Sequence, residues 1–196
     1  MSDGEESPDM MTAGKPSSGP PAIAKTDIAV DGPHATSASK GSARTWVKDL
    51  ARGRLEAIVA DALKRGLDRS LEEASIEDLA ALADAARYTR RNEIARRALL
   101  AERRRFLGSR EATDAAFLLG RLAETGGDPS TALRFFAAYL DEGPDGTYAP
   151  EALGRKMAIV QKTRGSDSAR PLAHDYLTKY PNGTYAAAAK GIVQNR

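Results

Sequence analysis

The sequence predicts an all-α fold in which helix-turn-helix repeats stack as a short solenoid behind a disordered tail, and three observations predict it. Segments match when slid by thirty-seven residues: 130–136 lie over 167–173, and the turn Pro144-Asp145-Gly146-Thr147-Tyr148-Ala149 lies over Pro181-Asn182-Gly183-Thr184-Tyr185-Ala186. A fixed period of this length marks supersecondary units that share one core with their neighbours. Alanine, leucine and arginine dominate while β-branched residues are sparse, a balance that favours helix. From Arg44 onward, apolar residues recur at helical spacing.

Residues 1–43 are rich in Ser, Gly, Pro, Ala and Asp, and they offer too little apolar surface to offset the entropy of ordering. Disorder is expected there, and the apolar residues from Ile23 to Val30 read as incidental. The folded domain is expected over 44–196 as about four helix pairs. Trp46, Val47 and Leu50 predict a short first helix ended at Gly53, and Leu55, Ile58, Val59, Ala62 and Leu63 a second closed by Gly66. Ser75 followed by Asp78 reads as a helix start with a capping pair, and Leu79, Leu82, Ala83, Ala86 and Tyr88 continue that helix. Glu93 to Phe106 forms the next, with Ile94, Ala95, Ala98 and Leu99 inward.

Ser109 is placed to cap a helix carrying Ala112, Ala116, Leu119, Gly120 and Leu122, which Gly126 and Gly127 end. Asp128 before Pro129 is a cap followed by a proline at the first helical position. The last pair is expected from about Thr147 and from a cap at Asp167, so that Pro150 and Pro171 fall where no intrahelical N–H is lost. Ala57, Ala95, Ala132 and Ala169 recur at intervals of thirty-eight, thirty-seven and thirty-seven residues. Small residues at that point let paired helices approach closely.

Leu119-Gly120, Ala132, Phe136 and Pro144 stand at the mutual spacing of packing positions in tetratricopeptide repeats, which the central unit resembles. The longer period and the turn Tyr180-Pro181-Asn182-Gly183-Thr184-Tyr185-Ala186 resemble the variant of bacterial envelope proteins, among them outer-membrane assembly lipoproteins and cell-division coordinators of the Tol system. The run from Trp46 to Val193 is similar to the C-terminal helical-repeat region of FecR-type anti-sigma regulators, through residues 82–88, 104–109 and 116–121. The sigma-binding helices, membrane span and FecR domain of those regulators have no counterpart, so the resemblance implies the repeat module alone. Leu107 stands where the family turn usually has proline.

Little in the residue inventory points to chemistry. With no cysteine, disulfides, thiolate nucleophiles and cysteine metal sites are excluded. His34 lies in the tail, and His174 is next to Asp175 on a helix, where adjacent residues diverge around the axis. Neither a His-Glu-x-x-His pattern nor a phosphate-binding glycine loop is present, and residues 141–146 lack the alternating ligands of a calcium loop. No catalytic residue, metal or cofactor is expected.

Arg90, Arg97 and Arg104, with Arg96 and Arg103, line one side of a helix. Without interleaved aromatics to stack bases, that stripe reads as a solvated face, with an acidic protein partner as the functional alternative, and the net charge of +2 argues against nucleic acid. The first thirty residues hold no apolar run for a signal core or membrane span, and no lipoprotein cysteine exists. A cytoplasmic chain is expected as written, or a periplasmic one if the start codon lies further upstream.

The resemblance implies a non-enzymatic scaffold that binds a protein or peptide partner in a groove lined by the first helix of each pair. An anti-sigma-related component of transcription regulation is the alternative. The groove positions are Glu77, Asp84, Arg87 and Tyr88 in one unit, Asp114, Phe117, Arg121 and Glu124 in the next, and Gln161 in the third. Mixed charges around aromatic anchors would recognise the partner segment.

Overall fold

The computed structural model describes residues 45–194, and the tail expected over 1–43 lies outside them. Ten α-helices and no strand occur among the described residues. They are α1 (Trp46–Ala51), α2 (Leu55–Lys64), α3 (Leu67–Glu73), α4 (Ile76–Tyr88) and α5 (Asn92–Arg105). There follow α6 (Arg110–Thr125), α7 (Pro129–Glu142), α8 (Ala149–Arg164), α9 (Ser166–Lys179) and α10 (Ala186–Gln194). From α4 onward each helix packs on the next in sequence, while α1 and α2 pack against α4, and α3 against α2 and α5. This neighbour-to-neighbour order is compatible with stacked helix pairs.

The period is built into the helices. The second helices α5, α7 and α9 begin and end at intervals of thirty-seven residues. Ala95, Ala132 and Ala169 are fully buried in them, and Ala115, Ala152 and Ala189 are fully buried on α6, α8 and α10. Gly120 brings α6 against α7 so closely that a Cβ there would lie 2.6 Å from the Phe136 ring. Gly154 does the same under Tyr185, with 2.1 Å to its ring.

A tyrosine secures each of the last two turns between pairs. Tyr139 Oη accepts the Tyr148 backbone N–H at 2.8 Å, and Tyr176 Oη accepts that of Tyr185 at 3.2 Å. The glycines of those turns are there for room: a Cβ on Gly146 or Gly183 would stand 2.3 or 2.4 Å from the same hydroxyl oxygen. Ser75 and Ser109 cap α4 and α6 through the N–H groups of Asp78 and Ala112, and Asp128 caps α7 through Thr131. Each removes one unpaired donor from a helix start.

Three expectations need correction. Ala57 is exposed, and α2 buries Ile58, Val59 and Ala62 instead, so the alanine series holds in three units and not four. Between Gly66 and Ser75 lies an unforeseen helix, α3, with Leu71 buried and Ser70 Oγ donating to the Ala62 carbonyl at 3.2 Å. Asp167 is not a cap: α9 begins at Ser166, which puts Pro171 beyond the first turn. The missing Pro171 N–H costs a bond to the Asp167 carbonyl, and the exposure of both residues leaves that carbonyl to water. At α8, which begins at Ala149 instead of Thr147, Pro150 sits in the first turn as the pattern predicts.

Candidate functional site

The first helices α4, α6 and α8 share an open groove of about 380 Å³, floored by α5. Ala80, Ala83, Asp84, Arg87 and Tyr88 line it from α4, and Glu111, Asp114, Ala115, Phe117, Leu118 and Arg121 from α6. Leu99 and Glu102 contribute from α5, and Tyr148 and Glu151 from the start of α8. The helical period of α4 and α6 explains the convergence: 84, 87 and 88, like 114, 117, 118 and 121, fall on one face.

Six of the nine sequence-derived positions therefore meet there: Asp84, Arg87, Tyr88, Asp114, Phe117 and Arg121. Tyr88 is 71% exposed on the rim, with the Arg87 guanidinium 5.8 Å from its ring centre, and Arg87 pairs with Asp84 at 2.7 Å. Arg121 reaches Glu151 at 3.4 Å. Phe117 is not an available anchor. Its ring is 1% exposed, stacked on Tyr148 at 4.4 Å and tilted against Phe136 and Tyr139. Its role is to seat Tyr148, the residue that begins the next unit.

The other three positions fall outside the groove. Glu77 is exposed in the first turn of α4, where its own backbone N–H and Ser75 hold its carboxyl below the usual range. Glu124 is bound to Arg155 at 2.7 Å, and Arg155 also holds Glu151 at 2.8 Å, so this network ties α6 to α8. Gln161 is exposed near the end of α8.

The residue that sequence reasoning missed is Glu102. It lies thirty-seven residues before Tyr139 and seventy-four before Tyr176, so a carboxyl occupies the position of the buried tyrosines. It is only 2% exposed, and its Oε1 has no hydrogen-bond partner among the described residues. Burial, then the charges of Asp84, Glu111 and Asp114, pushes it up to about 8, so it carries its proton at neutral pH. Asp114 is pushed upward too, by burial first, with Glu111 adding to it and Arg110 opposing. Five carboxyl groups thus face two guanidinium groups in the groove lining.

The arginine stripe of α5 is less solvated than its spacing predicts. Arg103 clasps Glu142 of α7 with two bonds of 2.9 and 2.7 Å, Arg97 pairs with Asp68 of α3, and Arg105 donates to the Leu71 carbonyl at 2.7 Å. These arginines hold neighbouring helices together. His174 is exposed on α9, and among the described residues no three His, Asp or Glu side chains are grouped to hold a metal. Nor is any described helix long and apolar enough to cross a membrane. No protein-family model matches the chain, and no curated protein matches it in sequence.

Proposed function

We propose that the chain is a non-enzymatic interaction module of the tetratricopeptide type, which takes a peptide or helical segment of a partner protein in the groove of α4, α6 and α8. The observation that carries this reading is the convergence of Asp84, Arg87, Tyr88, Asp114 and Arg121 on one open groove between successive first helices. An exposed aromatic rim residue beside half-buried charges supplies both contact area and hydrogen-bonding groups for a peptide. The resemblance of the turns to those of bacterial envelope repeat proteins supports an envelope or regulatory setting.

The test is selection of peptides from a displayed library on the full chain, followed by binding to a variant carrying Arg87→Gln, Tyr88→Ala and Arg121→Gln. The three side chains are not core residues, so circular dichroism of the variant is expected to match the parent. Selected peptides should lose at least about tenfold in affinity, the loss of roughly 1.4 kcal/mol expected when rim contacts are removed. Unchanged affinity would reject the groove.

A further inference from the structure

Positions 102, 139 and 176 are equivalent in the repeat, and the chain places Glu, Tyr and Tyr there. The tyrosines have a structural task, since each hydroxyl accepts the N–H that begins the following unit. The turn after α5 is made differently. Ser109 Oγ accepts from Ala112 N at 3.1 Å, and α6 begins two residues earlier in the period than α8 does. Glu102 is thereby released from the role of its equivalents and keeps an unpartnered, buried Oε1 at the floor of the groove. A buried acceptor without a donor costs free energy in the empty protein, and a donor arriving from a ligand removes that cost.

The surrounding charges say which donor. Asp84 and Glu151 are answered by Arg87 and Arg121, at 2.7 and 3.4 Å. Among the described residues Glu111 has no ion pair, and Asp114 is met only by the exposed Arg110 at 3.7 Å. The remaining potential at the floor is negative, complementary to a cation and hostile to an acidic or phosphorylated segment.

We propose that the groove takes a cationic side chain, the ammonium or guanidinium of a lysine- or arginine-bearing peptide, whose donors reach Glu102 Oε1 between Asp114 and Glu111. This rests on the groove being a peptide site. The titratable and charged groups that line the groove with Glu102 are Asp84, Arg87 and Tyr88 from α4, Glu111, Asp114 and Arg121 from α6, and Tyr148 and Glu151 from the start of α8. The charges of Asp84, Glu111 and Asp114 act on its carboxyl, while Arg103 on its own helix is turned to Glu142. The empty site holds a carboxylic acid at neutral pH. On binding, the O–H bond of Glu102 breaks, its proton passes to solvent, and a carboxylate–cation pair forms. Affinity therefore rises with pH up to about 8 and levels off above it, by up to about tenfold per pH unit.

The experiment uses the full chain and three fluorescein-labelled peptide pools with identical randomised flanks and a fixed central lysine, norleucine or glutamate. Anisotropy is read at pH 6 and pH 8 for the parent, Glu102→Gln and Glu102→Tyr, the last restoring the residue of the other two units in case the amide does not fold. The lysine pool is expected to bind at least tenfold more tightly than the other two, and more tightly at pH 8 than at pH 6. Both preferences should vanish in the Glu102 variants. If the norleucine or glutamate pool binds as well as lysine, or the preferences survive in the variants, the cation assignment is overturned. The groove itself still stands if that binding is lost in the Arg87→Gln, Tyr88→Ala, Arg121→Gln variant. No binding by any pool overturns both.

Discussion

Glu102 shows how one side chain links stability to the groove. Unfolded, its carboxyl has the ordinary value of 4.5; folded, it is held at about 8. Below pH 4.5 both states carry the proton and the group contributes nothing to pH dependence. Between pH 4.5 and 8 the unfolded chain gives up its proton first, so stability falls as pH rises. The integrated loss is on the order of 5 kcal/mol. Glu102→Gln should flatten this slope and melt several degrees above the parent at pH 8, with little difference at pH 4.5. Thermal melts across that range check it, and a parent as steep as its variant would show that Glu102 is solvated. Asp128 behaves in the opposite sense: Thr131 and Ser130 hold it down to about 2, so its capping contribution is present at neutral pH and is lost as pH falls from the ordinary value of 3.8 through about 2.

At the scale of helices, the small residues decide how pairs close. Alanine is a better helix former than glycine by about 1 kcal/mol, so Gly120→Ala would stabilise an isolated α6. Against this stands a Cβ 2.6 Å from the ring of Phe136, which is fully buried and braced by Phe117. Forcing that ring aside costs roughly 1–3 kcal/mol, and overpacking wins. Gly120→Ala is expected to lower the urea midpoint with an unchanged slope; a raised midpoint would mean that the α6–α7 interface is looser than described. Much at this scale was legible in advance: the caps at Ser75, Ser109 and Asp128 follow from residue type and place in the pattern. Helix α3 was not, because Leu67 and Leu71 give a single turn of apolar spacing, too short for a periodic signal. Pro171 misled because α9 begins at Ser166, directly after Gly165, whose positive φ of 84° stops α8 without a side-chain cap.

For the described chain as a whole, the all-α class and the thirty-seven-residue spacing of α5, α7 and α9 were legible because they depend on contacts within and between adjacent units. Six groove positions followed from the same logic, as first helices present equivalent faces. What the sequence hid depends on partners distant along the chain. Phe117 is buried by Tyr148, thirty-one residues on, and Glu102 stands before three arginines in a run that reads as charged surface. Aligning positions 102, 139 and 176 would have exposed it as a carboxyl in a tyrosine slot.

The central claim is that the groove between the first helices receives a peptide, and amide hydrogen exchange tests it most directly. The full chain is compared with and without a saturating peptide taken from the library selection. Slowed exchange should concentrate in α4, α6 and the first turn of α8. Protection confined to α7 and α9, or none at saturation, would contradict it.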